Sequence, residues 1–314
     1  MEDENYTSVT EFIILGFSEF PELQIPLFLF FLLIYLIILM GNLTIITLTC
    51  LDPRLHSPMY FFLCNLSILD ISCTSVTLPK LLDICLTKKQ HISAVGCFTQ
   101  VYFFMISICD EFLLLTVMAY DRYVAICHPL HYSVMMNPRL CILMVTGTWI
   151  FGFLEPMTHT VLMSHFSYCR SNVINHFLCD ISVLLNLSCS STSTYEYLTY
   201  AVAVLILLPC FLLTLTSYVY IISAILRIRS SEGRRKAFST CSSHLMVVIL
   251  FYGTLTGLYV RPTSTQSVDQ NKFYALLYNV LIPLFNPIIY SLKNKQVKDA
   301  IGKVFNRKQI PDCQ

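Results

Sequence analysis

The segment that decides the fold is PLFLFFLLIYLIILMGNLTIITLT, residues Pro26 to Thr49, which contains no Asp, Glu, Lys or Arg. An α-helix rises about 1.5 Å per residue, so a segment of this length can cross the roughly 30 Å hydrocarbon core of a bilayer. The sequence before it is acidic, whereas a cleavable signal peptide begins with basic residues. The segment is therefore predicted to be an uncleaved first transmembrane helix.

Composition extends this prediction to the whole chain. Hydrophobic residues make up 55% of the 314 positions and charged residues only 12%, whereas soluble domains carry about 25% charged residues. The predicted fold class is all-α, a bundle of seven transmembrane helices over residues 26–292. The predicted spans are 26–49, 59–82, 97–123, 139–163, 197–227, 237–261 and 272–292.

The distribution of charge predicts the orientation of the bundle. With an extracellular N-terminal tail (1–25) and a cytoplasmic C-terminal tail (293–314), 14 of the 20 Lys and Arg residues fall on the cytoplasmic side. Cytoplasmic loops carry this excess of basic residues in membrane proteins. Asn5, in the sequon Asn5-Tyr6-Thr7, is then an extracellular glycosylation acceptor. No compact basic domain is present to bind nucleic acid.

The 14 cysteines divide between the spans and the extracellular side. Those within the spans are expected to behave as small apolar residues. Four lie on the oxidising side, at the outer end of the third span and in the long loop after the fourth. Four cysteines allow three pairings, which spacing alone does not separate. The four are Cys97, Cys169, Cys179 and Cys189.

Carboxylates within the second and third spans are expensive in lipid and are expected to face the bundle interior. Glu111 shares a helix face with Phe104 and Ile108, while Asp110 points about 100° away, so Glu111 is favoured as the inward partner of Asp70. The pair is suited to a sodium ion or a shared proton. Acid–base catalysis is the alternative, but no nucleophile or metal-ligand spacing accompanies the pair. Glu155 and His159, four residues apart in the fourth span, predict a second polar pair or lining.

The third span ends in MAYDRYVAIC, residues 118–127. Further strings occur in register with the other spans: GN at 41–42, LHSPMYFFL at 55–63, SY at 217–218, KAFSTCSSHL at 236–245 and PLFNPIIY at 283–290. Together they resemble the rhodopsin-like (class A) G-protein-coupled receptors, and specifically the tetrapod-type branch of the odorant receptors. The resemblance covers residues 8 to 305.

The resemblance implies two disulfides and a cytoplasmic switch. The string HFLCD at 176–180 is similar to a loop motif whose cysteine pairs with the third helix, which implies Cys97–Cys179 and leaves Cys169–Cys189. It also implies a short cytoplasmic amphipathic helix in the C-terminal tail. A membrane-interface anchor is the simpler alternative for an isolated arginine. The implied switch residues are Asp121, Arg122, Tyr123, Tyr218, Asn286, Pro287 and Tyr290.

The same resemblance implies a ligand pocket in the outer half of the bundle. Each of its residues could instead serve only in packing, because an apolar helix face looks the same in both roles. Phe104 stands where amine receptors of this superfamily place an acid, so a charged amine is disfavoured and a small, weakly polar molecule is favoured. The implied pocket residues are Phe104, Met105, Ile108, Cys109, Val202, Ala203, Ile206, Tyr252, Leu255, Tyr259, Leu276 and Asn279.

The sequence thus predicts an odorant receptor that binds a small volatile molecule and activates a stimulatory, olfactory-type G protein, raising cyclic AMP. It is not expected to be an enzyme, and no cofactor is expected beyond the sodium ion or proton at Asp70 and Glu111. The family implies the plasma membrane of olfactory sensory cilia. The alternatives are a receptor of the same superfamily for a non-odorant molecule, or a seven-helix channel or transporter, for which the expected paired broken helices are not seen.

Overall fold

The computed structural model describes residues 9–169, 171–259, 268–293, 297–300 and 302. Asn5, the predicted glycosylation site, lies outside these described residues. So does most of the cytoplasmic tail, of which residues 297–300 are helical.

Long helices account for most of the described chain. Six spans are apolar and long enough to cross a membrane as single segments. The remaining span is α9, which bends by 42° between Ser239 and Cys241. Counted as one span, α9 brings the total in the described chain to seven. The predicted all-α bundle of seven helices is confirmed. The first four spans and the sixth are α1 Gln24–Leu51, α2 Pro58–Thr87, α3 Ala94–Cys127, α5 Pro138–Ser164 and α9 Ser231–Tyr259; short helices α4 Tyr132–Met135 and α6 Ile181–Leu187 lie in loops.

The fifth and seventh spans are not uniform α-helices. Each contains a five-residue π-helical turn, at Ala203–Leu207 and at Leu277–Leu281. The remaining parts are α7 Ser193–Val202 and α8 Leu208–Arg227 in the fifth span, and α10 Val268–Leu276 and α11 Ile282–Lys293 in the seventh. Neither π-helical turn was predicted from the sequence.

Three helices extend well beyond their predicted spans. Helix α2 continues from residue 82 to Thr87, α3 continues from residue 123 to Cys127, and α9 begins at Ser231, six residues before its predicted start. Hydropathy marks only the part of a helix that crosses hydrocarbon, whereas the backbone hydrogen bonds continue into the interface until a capping signal ends them. Helix α2 ends where Lys88 adopts a left-handed conformation with φ of 59°. Helix α3 begins after Ser93, whose hydroxyl accepts a hydrogen bond from the backbone N–H of Gly96 at 3.1 Å.

A three-stranded sheet lies at the extracellular end of the bundle. The central strand, β1 (Glu11–Ile14), pairs antiparallel with β2 (His91–Ser93) and parallel with β3 (Val173–Ile174). It joins the N-terminal segment to the first and second extracellular loops. Phe12 and Ile14 are fully buried beneath it. Strands of two to four residues give almost no periodic signal, which explains why sequence analysis did not predict them.

Both implied disulfides are present. The Cα atoms are 5.6 Å apart in Cys97–Cys179 and 5.9 Å apart in Cys169–Cys189, within the range usual for disulfides. The first ties the long extracellular loop to the outer end of α3. The second closes a smaller ring within the loop. The loop is thereby fixed across the mouth of the bundle.

Close approach of α1 and α11 positions the kinked seventh span. A Cβ atom on Gly41 would lie 3.0 Å from Cγ of Pro287, so a side chain larger than hydrogen would separate the two helices. One residue further on, the amide of Asn42 donates to the carbonyl oxygen of Pro283 at 3.2 Å. A proline at position 287 leaves the preceding turn without one backbone hydrogen bond. These contacts hold the weakened turn against the first helix.

Candidate functional site

The implied pocket residues of α3 lie at the centre of the bundle. Phe104 is buried and meets the ring of Tyr278 edge-on, with ring centroids 5.6 Å apart. Ile108 packs against the same central cluster, whereas Met105 packs against the extracellular cluster that contains Phe12. The face of α3 that carries these residues therefore runs from the extracellular mouth to the bundle centre.

In α9, Tyr252 and Leu255 pack against the same cluster as Phe104. The ring of Tyr252 lies between Phe112 and Phe211, at centroid distances of 5.0 and 5.1 Å. Its hydroxyl is buried, near the hydroxyls of Thr116 and Thr214. An aromatic wall with a buried hydroxyl is the kind of lining found in small-molecule pockets. Tyr259 ends α9, and its side chain lies outside the described part.

The fifth span contributes differently from what was implied. Val202, Ala203 and Ile206 are partly exposed, at or just before the π-helical turn. Near this turn, Leu207 and Cys210 pack against the cluster of Phe104 and Tyr252; Tyr218, Ile221 and Ile225 join the same cluster further along α8. The π-helical turn changes which residues face inward, so the pocket assignments in this span remain predictions.

The seventh span shows the same effect more clearly. Leu276 packs against the cluster formed with α1 and α2, and Asn279 accepts a weak hydrogen bond from the thiol of Cys73 at 3.6 Å. The residue that meets Phe104 is Tyr278, which sequence analysis missed. The sequence signal that could have identified Tyr278 is its phenol ring, which can make both apolar and polar contacts. Tyr278 stands one residue before Asn279, the position that α-helical periodicity assigns to the pocket.

A polar network joins the third, fourth and fifth spans. The imidazole of His159 and the carboxylate of Glu155 are 2.7 Å apart, and the other carboxylate oxygen accepts from the thiol of Cys109 at 3.3 Å. The second ring nitrogen of His159 lies 3.2 Å from the hydroxyl of Thr199. The two residues predicted to form a polar pair are thus in contact. Their network places the thiol of Cys109, an implied pocket residue, beside a charged group.

Two buried carboxylates occupy the middle of the bundle. Both oxygens of Asp70 accept from the amide of Asn286, at 3.1 and 3.0 Å. Glu111 accepts from the hydroxyl of Tyr278 at 3.1 Å, and its other oxygen has no partner among the described residues. Tyr278 therefore touches the implied pocket through its ring and the polar core through its hydroxyl.

Asp110 occupies a different face of α3 from Glu111. It is buried against Gly152 of α5, where a Cβ atom would overlap its carboxylate. Neither carboxylate oxygen has a hydrogen-bond partner in the described chain. In the described chain no group of three or more His, Cys, Asp or Glu side chains could hold a metal ion.

At the cytoplasmic end of α3, Arg122 is held by its neighbour. Its guanidinium forms an ion pair with Asp121, with Nε 2.9 Å from one carboxylate oxygen. The other carboxylate oxygen accepts from the hydroxyl of Tyr132, in the second cytoplasmic loop, at 2.8 Å. Burial, together with the Asp121 carboxylate, raises the pKa of the Tyr132 phenol, which keeps it a donor. Arginine and tyrosine thus share one carboxylate.

The tyrosines among the other implied switch residues differ in their contacts. Tyr218 of α8 hydrogen-bonds Nδ1 of His244 in α9, and the two rings stack at a centroid distance of 5.8 Å. Tyr290 is buried, and its hydroxyl has no partner among the described residues. Tyr123 points elsewhere and bonds His128 at 3.0 Å. His244 lies in the string at 236–245, but its role was not predicted.

Comparison with known proteins gives consistent matches along the chain. The sequence profile described as olfactory receptor matches residues 31–308. Mouse olfactory receptor 5G9 is 50% identical over 99% of both chains. Human olfactory receptor 10A7 is 48% identical, covering 98% of this chain and 97% of its own. Squid rhodopsin superposes with a TM-score of 0.66 over 93% of this chain and 89% of its own; at 18% identity this similarity concerns the fold.

Proposed function

The chain belongs to the olfactory receptor family of rhodopsin-like receptors, and from that premise we propose that it couples a small, volatile, weakly polar odorant to a stimulatory, olfactory-type G protein. It is a multi-pass membrane receptor and not an enzyme. The proposed consequence of odorant binding is a rise in cyclic AMP, and the proposed location is the ciliary membrane of olfactory sensory neurons. The observation that carries the proposal is the closed cytoplasmic switch around Arg122.

The switch has the contacts expected of a resting receptor. The Arg122 guanidinium is satisfied by Asp121 within its own helix, so it does not project toward the cytoplasm. The hydrogen bond between Tyr218 and His244 holds the inner ends of α8 and α9 together. We propose that activation moves α9 outward and breaks this bond. Arg122 would then engage the G protein, with Tyr218 and Tyr290 moving in beside it.

The proposed path from the ligand to this switch runs through Tyr278. An odorant that displaces the ring of Phe104 or Tyr252 would alter the packing of the Tyr278 ring. The Tyr278 hydroxyl bonds Glu111, and Glu111 lies near the pair formed by Asp70 and Asn286. Asn286 precedes the proline that weakens α11, so the polar core contacts the part of the seventh span that bends most easily.

The polar core also fits a monovalent cation or a shared proton. Two buried carboxylates with one amide and one hydroxyl donor between them lack enough donors for two full negative charges. Glu111 has an unpartnered oxygen in the described structure. We propose that Asp70 and Glu111 share a sodium ion or a proton in the resting receptor, and that activation changes its occupancy.

The test is a cyclic AMP reporter assay in cells that express the full-length receptor, screened with a broad odorant panel. Arg122→Ala is expected to abolish the odorant response, because the cation that engages the G protein is lost. The matched control is Arg54→Ala, which removes an exposed arginine of the first cytoplasmic loop that pairs with Asp52. Surface expression of all three proteins is measured on intact cells. An undiminished response from Arg122→Ala would contradict the proposed switch.

A further inference from the structure

An incompletely paired lysine lies at the extracellular mouth of the bundle. Lys272, in α10, is only 8% exposed, and its ammonium donates to the carbonyl oxygen of Gly16 at 3.5 Å. No carboxylate of the described chain lies within 4 Å of its nitrogen. An ammonium group has three donors, and burial of a charge with one long hydrogen bond is unfavourable. Among the described residues, the ammonium therefore has no anionic partner.

The N-terminal segment closes over this lysine. Gly16 has a φ of +58°, a conformation that L side chains rarely adopt, and its N–H donates to the carbonyl oxygen of His176 at 2.9 Å. Gly16 therefore joins the second extracellular loop to the seventh span through its two backbone groups.

His176 supplies a second donor at the same place. Its side chain is 1% exposed, and Nδ1 accepts from the N–H of Leu178 at 3.4 Å, which assigns the proton of the neutral ring to Nε2. Burial lowers the pKa of His176; the Asp180 carboxylate and a hydrogen bond with the backbone of Asn271 oppose this shift, and the Lys272 charge adds to it. Lys272 and His176 are thus close enough to interact electrostatically.

Asp180 is the acidic group that faces this volume, but it has other partners. One of its oxygens accepts from the backbone N–H groups of Ser182 and Val183, at 2.9 and 3.2 Å, and so caps α6. This carboxylate forms no ion pair with Lys272 in the described chain.

The apolar surroundings favour an anion that carries a hydrocarbon chain. Leu276 follows Lys272 by four residues, one turn toward the bundle centre, on the same helix face. It packs in a cluster with Phe17, Phe177 and Leu178. The rings of Phe17 and Phe177 stack at a centroid distance of 6.0 Å. A charged end at Lys272 and an apolar tail along Leu276 would match this arrangement.

We propose that the ammonium of Lys272 and the Nε2–H of His176 receive the carboxylate of an acidic odorant at the extracellular mouth of the receptor. This inference rests on the proposed odorant-receptor function and changes its ligand from a weakly polar molecule to a carboxylic acid. The carboxylate supplies acceptors for the ammonium, which has one long hydrogen bond in the described structure. Its hydrocarbon chain lies along Leu276, toward the centre of the bundle.

The test uses purified full-length receptor in lipid nanodiscs and three eight-carbon probes: octanoate, octanol and octylamine. Binding is measured at neutral pH as the ligand-dependent rise in Tm. In the unmodified receptor, octanoate is expected to bind most tightly and octylamine most weakly. Equal binding of octylamine and octanoate would overturn the proposal, as would no protection by octanoate. Equal protection by sodium chloride or inorganic phosphate would do the same, because it would identify a site for small anions only.

Variants then locate the effect. Lys272→Gln is expected to weaken octanoate binding about tenfold to a hundredfold, the range for a hydrogen bond to a charged group, and to leave octanol binding unchanged. Lys272→Arg keeps the charge and should retain most of the affinity. The matched control is Lys80→Gln, since Lys80 already pairs with Asp83 at 3.0 Å. Unchanged octanoate binding by Lys272→Gln would contradict the site.

The neutral probe separates this proposal from the receptor function itself. Normal octanol binding with octanoate binding that ignores Lys272 would remove the carboxylate site and leave the odorant-receptor function intact. If no member of the odorant panel activated the unmodified receptor in cells, the proposed function would fail instead. If Lys272→Gln could not be purified, the order of the three probes on the unmodified receptor would decide the proposal.

Discussion

Substitution of His244 by phenylalanine should raise the basal activity of the receptor. The change removes the nitrogen that pairs with the Tyr218 hydroxyl and keeps an aromatic ring to stack on Tyr218, where the centroids are 5.8 Å apart. Tyr218 is buried, so its hydroxyl would lose its acceptor in the resting state. In the proposed active state Tyr218 has left His244, and the substitution costs nothing there.

The expected magnitude follows from this difference between the states. A buried hydroxyl left without a partner costs about 1–3 kcal/mol. Because about 1.4 kcal/mol is tenfold in an equilibrium constant, the equilibrium should shift toward the active state by about 5-fold to 150-fold. A receptor whose active state is populated at about 1% would then show basal signalling of several per cent or more.

The assay is ligand-free cyclic AMP production normalised to surface receptor, with Tm of the purified protein as a second measure. His244→Phe should raise the ligand-free cyclic AMP production and lower the Tm. The double variant Tyr218→Phe/His244→Phe is the matched control, because removal of both partners leaves no orphaned hydroxyl. Its basal signal should return toward that of the unmodified receptor. Unchanged basal signal in His244→Phe at normal surface expression would refute the reasoning, and so would equal signals from the single and double variants.

Two further predictions concern stability. Gly152→Ala should lower the free energy of unfolding by about 1–3 kcal/mol, seen as a lower Tm, because its Cβ overlaps Asp110; Gly147→Ala in the same helix meets no atom within 4 Å and should have little effect. Burial holds the pKa of His176 below its usual 6.5, so the unfolded chain takes up this proton first and stability falls as pH drops below about 6.5. His176→Gln should remove that part of the pH dependence of Tm between pH 5 and 8; an identical profile would contradict this account.

The transmembrane spans, the disulfides and contacts between sequence neighbours were predictable from the sequence and its family resemblance. The apolar segment at 26–49 lies within α1, and the other predicted spans coincide with helices over their described residues. The pairing of Cys97 with Cys179 required the family resemblance, since four exterior cysteines allow three pairings. The neighbours Asp121 and Arg122 pair within one helix, where sequence adjacency already determines their proximity.

Contacts between distant segments were not predictable in the same way. The strand β1 pairs with two loops that lie far from it in sequence, and its four residues carry no periodic pattern of their own. The bond between Tyr218 and His244 depends on how α8 and α9 face each other. A histidine in an otherwise polar cytoplasmic string gives no sign of burial, although His244 is fully buried in the structure.

The ligand pocket is the region where sequence counting is least secure, for a specific geometric reason. An α-helix turns by about 100° per residue, so one extra residue in a π-helical turn moves every later side chain to a neighbouring face. Counted back from Asn286 by α-helical periodicity, the inward residue of the seventh span is Asn279. Because the turn Leu277–Leu281 intervenes, Tyr278 meets Phe104 instead. The fifth span has its own π-helical turn, at Ala203–Leu207, so the same displacement from the face that counting assigns is expected there. A change in the backbone at either turn would therefore alter which side chains face the ligand, even if the pocket residues themselves were not substituted. Backbone geometry thus gives this fold a second way to change ligand specificity.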